Sequence, residues 1–224
     1  MKYVLSVTVS FAAVLSMISA GLAAEPRLPI RAGMIGLDTS HAVAFTKLLL
    51  DPKAGGDLKD LKIVAAYPGG SPDIPSSRDR VPEYTRQMRG LGVEIVGSID
   101  ELLRRVDAVL VMSVDGRTHL AQARPVIAAG KPLFIDKPMA ASLADAAEIF
   151  RLARERHVPC FSSSALRFTS GFQAIRQKRS PLGDVRSCVA WSPLHFEPHH
   201  PDLFWYGIHG VKRCTRSWDR AARP

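Results

Sequence analysis

Residues Ala129 to Pro138 read AGKPLFIDKP and indicate a strand that leaves a buried sheet. Gly130 is typical of the left-handed stop of a helix, and Leu133 to Ile135 have the composition of a short buried strand. Asp136 and Lys137 therefore follow at the carboxyl end of that strand. Ligands of open α/β sheets bind at this edge, so a lysine and a carboxylate held there indicate anion binding or proton transfer.

Short apolar segments alternate with amphipathic ones from Arg31 onward, which is typical of a parallel sheet with helices on both faces. We predict strands at Ala32–Ile35, Lys62–Ala66, Val93–Val96, Ala108–Met112, Leu133–Ile135 and Pro159–Ser162. We predict helices at His41–Leu50, Tyr84–Leu91, Ile99–Arg105, His119–Ala129 and Leu143–Arg156. The stretch from Tyr67 to Pro82 is rich in Gly and Pro and is predicted to be loop. The fold class is therefore α/β, with a doubly wound parallel sheet over residues 27–164.

The pattern then changes to one helix, one strand and a segment rich in aromatic residues and histidines. We predict a helix from Arg167 to Lys178, a strand from Val185 to Trp191, and a loop or strand from His195 to His209. These segments indicate the beginning of a second domain over residues 165–210. Residues 211–224 are arginine-rich without apolar periodicity, and we expect them to be a non-native or disordered tail.

The block from Asp107 to Pro138 contains a buried strand, a helix and two short motifs in a characteristic order. The motifs are Ala-Gly-Lys at residues 129–131 and Asp-Lys-Pro at residues 136–138. The block resembles the Gfo/Idh/MocA family, the relatives of glucose-fructose oxidoreductase and inositol dehydrogenase, in which the second motif is Glu-Lys-Pro. The resemblance implies a Rossmann-like dinucleotide-binding domain followed by a substrate-side α+β domain.

The resemblance also implies roles for individual residues. Lys137 and His209 would transfer the hydroxyl proton of a sugar, cyclitol or polyol, Asp136 would orient the lysine, and hydride would pass between substrate carbon and nicotinamide. The segment around His209 is similar to the family's Asp-x-Gly-x-His motif, with Gly207 matching and Trp205 replacing the aspartate. The alternative is that His209 is a structural histidine beside aromatic residues. The cofactor-binding residues implied in the block are Ser113, Asp115, His119, Lys137 and Pro138.

The turn after the first predicted strand reads GLDTSH, at the place where a dinucleotide fold has its glycines. Gly36 fits the first glycine, but Asp38 and His41 occupy the second and third positions. An aspartate that faces a pyrophosphate repels it. The backbone amides of Thr39, Ser40 and His41 would still offer a helix N-terminus to an anion. The alternative is that Asp38 and Ser40 only cap that helix.

The end of the second predicted strand lacks an acidic residue for the ribose hydroxyls of a dinucleotide. Tyr67 is followed by a proline and two glycines, and only Ser71 and Asp73 lie further along. The cofactor prediction is therefore NAD or NADP, with the choice between them open. An alternative function is a degenerate, non-redox member that binds a carbohydrate or an anion, because several residues of the redox chemistry are replaced.

A metal-dependent lyase or hydrolase is a further alternative. His195, Glu197 and His199 alternate at strand spacing, which would bring several metal-ligand types to one side. Prolines interrupt this segment, and the same residues suit hydrogen bonds to sugar hydroxyls, so we predict no metal site. The three cysteines show no C-x-x-C spacing, which argues against a disulfide framework and a structural zinc site.

The N-terminus is typical of a signal peptide over residues 1–24. An almost uncharged run from Tyr3 to Ala24 follows Lys2, and Gly21 to Ala23 form a small-x-small cleavage site. An uncleaved run would instead be a membrane anchor. No twin-arginine pair precedes the run, which favours the general secretory route and a bacterial periplasmic location.

The formal net charge of +9 is concentrated near the C-terminus. Five basic residues and one acidic residue lie in 211–224, a balance of +4, so the folded middle is only mildly basic. No stretch interleaves aromatic residues with arginines, and we predict no nucleic-acid partner. The expected partner is a small sugar or polyol, and the resemblance implies a homo-oligomer formed through the open sheet of the second domain.

Overall fold

Six parallel strands form one sheet in the order β3-β2-β1-β4-β5-β6. The strands are β1 (Ile30–Ile35), β2 (Leu61–Tyr67), β3 (Glu94–Ile95), β4 (Ala108–Val111), β5 (Leu133–Asp136) and β6 (Cys160–Ser163). The computed structural model describes residues 29–164, 168–181, 187–191, 195–205 and 207–211, so the predicted signal peptide and most of the predicted tail lie outside the described residues. Every predicted strand of the first domain is confirmed within two residues at each end, and so is the Rossmann-like sheet.

Helices connect the strands. They are α1 (Ser40–Leu50), α2 (Pro75–Arg78), α3 (Val81–Gly90), α4 (Ile99–Leu103), α5 (His119–Ala128), α6 (Leu143–Glu155), α7 (Ser170–Arg176) and α8 (Asp202–Trp205), with 3-10 turns at Gly56–Asp60 and Gly116–Thr118. Ser142 caps α6, because its hydroxyl accepts a hydrogen bond from the Asp145 amide at 3.0 Å. Gly130 ends the segment after α5 with φ of +69°, as its predicted role as a helix stop requires.

Two apolar clusters cover the two faces of the sheet. Successive side chains of β1 point to opposite faces. Ile35 accordingly belongs to a cluster that includes Val109 and Ile149, whereas its neighbour Met34 belongs to a second cluster with Met88 of α3. All five side chains are at most 1% exposed. Because both faces are covered, a ligand site must lie at an edge of the sheet.

The two central strands, β1 and β4, are joined at their amino ends by a polar contact. Asp107 directly precedes β4, and its carboxylate accepts hydrogen bonds from the Arg31 backbone amide at 3.0 Å and from Arg31 Nη2 at 2.8 Å. This contact supports the register in which Ala32 pairs with Ala108.

The prediction of loop throughout Tyr67–Pro82 was wrong, because the short helix α2 lies within it. Pro75 occupies the first turn of α2, where its fixed φ and missing N–H favour a helix start. No helix among the described residues is both long and apolar enough to cross a membrane.

The predictions for the segments after residue 164 were partly wrong. The helix expected from Arg167 to Lys178 is the shorter α7. Of the strand expected from Val185 to Trp191, residues 185 and 186 lie outside the described residues, and 187–191 form no strand and pair with no described strand. The segment from His195 to His209, predicted to be loop or strand, is loop over 195–201 and then contains α8 and the start of a helical turn at 208–211.

Candidate functional site

A tight turn follows β1 at the carboxyl edge of the sheet. Gly36 has φ of +94°, and a Cβ there would lie 2.3 Å from Ser113 Oγ and 2.4 Å from the Ser113 backbone nitrogen. The Gly36 amide donates to the Tyr67 carbonyl at 3.0 Å, and the Leu37 amide donates to the Pro68 carbonyl at 2.6 Å. Only glycine fits this turn, because both the backbone conformation and the approach of Ser113 exclude a side chain.

Asp38, at the second glycine position, is fully buried and does not face solvent. Its carboxylate accepts hydrogen bonds from Ser77 Oγ at 2.6 Å and from the Val114 amide at 3.1 Å. Burial raises the pKa of Asp38, and the hydrogen bonds from Ser77 and Val114 oppose that rise. Asp38 therefore links the loops that follow β1, β2 and β4, which the sequence did not reveal.

Helix α1 begins immediately after this turn. Thr39 is its N-cap, with a side-chain oxygen that accepts from the His41 amide at 3.3 Å, so the alternative that Asp38 and Ser40 only cap the helix was wrong. Ser40 is exposed, and the first turn of α1 contains no acidic residue. The first turn of α1 therefore places no acidic side chain of its own at the positive end of the helix dipole.

His41 and Asp136 meet at this edge although 95 residues separate them along the chain. His41 Nδ1 lies 2.6 Å from Asp136 Oδ2, and Asp136 Oδ1 accepts from the Lys137 backbone amide at 2.8 Å. The Asp136 side chain is 7% exposed and the His41 side chain is 36% exposed. Lys137 is half-buried and joins Pro138 through a cis peptide bond. The structure thus brings together three of the predicted site residues.

The loop after β4 supplies a buried polar wall behind the turn. Ser113 Oγ donates to Gln122 Oε1 at 3.1 Å and accepts from Gln122 Nε2 at 2.9 Å. His119 is fully buried, with ring nitrogens 2.8 Å from the Ser113 carbonyl oxygen and 3.2 Å from the Met139 carbonyl oxygen. These contacts show Ser113 and His119 supporting the loop, and their predicted contact with a cofactor stays a prediction.

Asp115 is the centre of a charged cluster that closes the edge near β2. It accepts from Ser71 Oγ at 2.5 Å, from the Arg117 amide at 2.9 Å and from Arg117 Nη2 at 2.8 Å. Burial acts to raise the pKa of Asp115, but the hydrogen bonds from Arg117 and Ser71 outweigh it and hold the pKa below its usual value. Arg117 also pairs with Asp73 at 2.9 Å. Ser71 and Asp73 are therefore engaged within the protein.

His200 brings the later segment onto this edge. Its Nε2 accepts a hydrogen bond from the Gly116 amide at 3.2 Å, and its Nδ1 lies 3.4 Å from the Pro201 carbonyl oxygen. The ring packs on Trp205 with centroids 5.1 Å apart. Burial lowers the pKa of His200, which agrees with a neutral ring that accepts at Nε2. In the sequence, the only indication that this segment takes part in the site was its histidine-rich composition.

His209 lies in the helical turn at 208–211 and is partly buried. The contact described above between residues 195–211 and the carboxyl edge is made by His200, not by His209. The catalytic role predicted for His209 therefore stays a prediction. His199 Nδ1 lies 3.4 Å from Glu197 Oε1. Within the described segments, no three His, Cys, Asp or Glu residues are grouped so that they could hold a metal ion.

A parallel sheet in this strand order, with a glycine turn after its first strand and a lysine after its fifth, defines a dinucleotide-binding type of α/β domain. The family described as an oxidoreductase family with an NAD-binding Rossmann fold matches residues 30–164, more than half of the chain. The chain therefore belongs to the Gfo/Idh/MocA family of oxidoreductases, as the sequence predicted. The family's NAD-binding fold agrees with the predicted nicotinamide cofactor.

Similar proteins cover the chain to different extents. An inositol 2-dehydrogenase of Cereibacter sphaeroides is 51% identical over 49 residues, which is 22% of this chain and 14% of that protein. An uncharacterized oxidoreductase of Streptococcus pneumoniae is 28% identical over 125 residues, 53% of this chain and 33% of that protein. The solved structure of GenD2 from gentamicin A biosynthesis, in complex with NAD, has a TM-score of 0.63 at 18% identity and covers 86% of this chain and 54% of that one. The chain thus matches at most a third of these curated relatives.

The described residues fit the phosphate-binding part of a nicotinamide cofactor. Gly36 forms the required turn, α1 presents its N-terminus, and the carboxylate of Asp38 is held away from it by Ser77 and Val114. The adenosine side is less complete, because the end of β2 carries Tyr67 in place of an acidic residue.

Proposed function

We propose that the protein is an exported NAD(P)-dependent oxidoreductase that acts on a sugar, cyclitol or polyol. The observation that supports this most directly is Lys137 at the carboxyl end of β5, on the same sheet edge as the Gly36 turn and joined to it through the His41–Asp136 contact. Cofactor and substrate of a dehydrogenase must meet at such an edge. The relative named inositol 2-dehydrogenase supports a polyol as the substrate class.

Each residue of this edge would contribute a separate step. The amides at the start of α1 would bind the cofactor phosphates, and the Lys137 ammonium would hold the hydroxyl oxygen on the carbon that is oxidised. Asp136 fixes the Lys137 backbone through its 2.8 Å hydrogen bond. A bound nicotinamide would supply the hydride acceptor. Ser113, Asp115 and His119 are buried beside this edge and would limit the access of water from that side.

Titration of the protein with NADH and NADPH, followed by nicotinamide fluorescence and thermal shift, tests the nicotinamide dependence. We expect saturable binding of one cofactor, lost in Gly36→Val and weakened in Lys137→Ala. The control is Lys131→Ala, because Lys131 precedes β5 and lies at the opposite edge of the sheet. A folded sample that binds neither cofactor would refute the nicotinamide dependence.

Export is tested separately by recovering the protein from a bacterial periplasmic fraction and sequencing its N-terminus. We expect a mature chain that begins near Ala24 or Glu25, as the small-x-small site predicts. Protein that stays in the cytoplasm with Met1 intact would contradict this part of the proposal.

A second candidate function is a non-redox family member that binds a carbohydrate or an anion. Asp38, His41 and Tyr67 favour it, because they stand where a dinucleotide fold has its second glycine, its third glycine and an acidic residue. Saturable binding of myo-inositol or phosphate by calorimetry, without any binding of NADH or NADPH, would favour this candidate over the oxidoreductase.

A further inference from the structure

The residue at the third glycine position, His41, has a side chain that reaches the end of β5. In a dinucleotide fold that position serves close packing of helix on strand, and glycine is used because it has no side chain. Here the imidazole crosses from the start of α1 to Asp136, the residue before Lys137. We propose that His41 and Asp136 form an acid–base pair in which His41 exchanges the hydroxyl proton of the substrate. This inference rests on the proposed function.

The hydrogen bond between the two side chains sets the tautomer of His41. An ionised carboxylate has only acceptor atoms, so the proton of this 2.6 Å contact belongs to Nδ1 of His41. The basic lone pair of the neutral ring is then on Nε2. The second carboxylate oxygen of Asp136 accepts from the Lys137 amide at 2.8 Å, so the carboxylate is held from both sides. Asp136 is therefore a positioning residue for both His41 and Lys137.

Packing holds the His41 ring in this orientation without covering it. The ring stacks on Phe45 one turn along α1, with centroids 5.7 Å apart and planes 11° apart. His41 keeps 36% of its side chain exposed, whereas Asp136 keeps 7%. Among the described residues, Asp136 is the polar side chain that contacts the ring. A histidine whose one nitrogen is held by a buried carboxylate and whose other nitrogen is accessible has the arrangement of a general base.

The pair supplies the proton transfer of an alcohol oxidation. The O–H bond of a secondary alcohol breaks and its proton moves to Nε2 of His41. A bound nicotinamide would accept the electron pair of the C–H bond as hydride, which balances the oxidation of the alcohol to a carbonyl group. The protonated imidazole, stabilised by Asp136, then releases its proton to water. Lys137, next along the chain, holds the reacting oxygen, so both proton transfer and oxygen binding come from the first domain.

A chemical test of the pair does not depend on activity. Diethyl pyrocarbonate acylates the unprotonated nitrogen of an accessible imidazole, and mass spectrometry of the full-length protein gives the rate at each histidine. The exposed His157 serves as the internal reference. We expect Asp136→Asn to slow the acylation of His41 several-fold relative to that of His157, because the amide NH2 donates to Nδ1 and leaves the proton on Nε2. An unchanged ratio of the two rates in Asp136→Asn would overturn the inference.

A kinetic test uses oxidation of myo-inositol with NAD or NADP as the probe reaction. His41→Asn retains an N–H donor near the position of Nδ1 but has no basic nitrogen. We expect it to lower kcat by about 100-fold or more, with the affinity for NADH and the melting temperature unchanged. Added imidazole should restore part of the rate in His41→Ala. Unchanged kcat in His41→Asn would refute the proton-transfer role. A failure of NADH binding in the unmodified protein would refute the proposed function instead, and the acylation result would still decide whether the pair exists.

Discussion

Replacing Gly36 by alanine should destabilise the domain through two separable effects. A non-glycine residue in the left-handed region costs roughly 1–2 kcal/mol, and Gly36 has φ of +94°. The added Cβ would also lie 2.3–2.6 Å from atoms of Ser113, two of them backbone atoms that cannot move aside alone. Forcing extra volume into a packed site costs about 1–3 kcal/mol. The sum predicts a loss of about 2–5 kcal/mol in the free energy of unfolding.

Urea denaturation followed by circular dichroism measures this loss, and Gly92→Ala is the matched control. Gly92 has φ of +81°, but a Cβ there would meet nothing within 4 Å. It should therefore lose only the conformational part, about 1–2 kcal/mol. If Gly36→Ala were no more destabilising than Gly92→Ala, the close approach of Ser113 would not be a constraint on this turn, and the reasoning would fail.

Two further substitutions and one chemical modification test the ionisable side chains. Burial raises the pKa of the Asp38 carboxyl group. The free energy of unfolding of the unmodified protein should therefore fall as pH rises from about 4 through the folded-state pKa, and Asp38→Asn should remove this slope. A variant that kept the slope in urea denaturation would contradict the assignment. Hydrogen bonds from Arg31 lower the pKa of Asp107 to about 2. This exposed pair should contribute less than about 1 kcal/mol to the free energy of unfolding above pH 4, and the contribution should be lost as pH falls toward 2. Asp107→Asn should flatten the acidic limb of the pH–stability curve. Burial raises the pKa of the Cys160 thiol to about 11, so less of it is thiolate at pH 8. Its alkylation by iodoacetamide at that pH should be about 100-fold slower in the native protein than in urea. Equal rates would show that the thiol is not buried as described.

The sheet was predictable because its strands are short apolar runs bounded by glycine, proline and charged residues. β5 is an example, since Leu133–Asp136 lies between Pro132 and the Lys137–Pro138 turn. The positive φ of Gly36 and Gly130 followed from the turns that these glycines close. Such signals are local, and local signals are what a single sequence contains.

The partners within the site were not predictable in the same way. The contact between His41 and Asp136 joins residues 95 positions apart, and it depends on the direction in which α1 leaves the sheet. The contact of Ser77 with Asp38 depends on α2, inside a stretch whose Gly and Pro content indicated only loop. His200 reaches Gly116 because the later segment packs on the first domain, which no local pattern encodes.

The junction of β1 and β4 also determines how the domain divides. Strands β1, β2 and β3 form one half of the sheet and β4, β5 and β6 the other. Arg31 and Asp107 tie the halves at one end of this junction, Gly36 and Ser113 close it at the other, and the larger apolar cluster draws residues from both halves. Neither half could be an autonomous module, since a cut between residues 106 and 107 would leave each fragment with an open core. The two fragments would regain a native sheet only by reassembly, and only the reassembled pair would again place His41 beside Asp136.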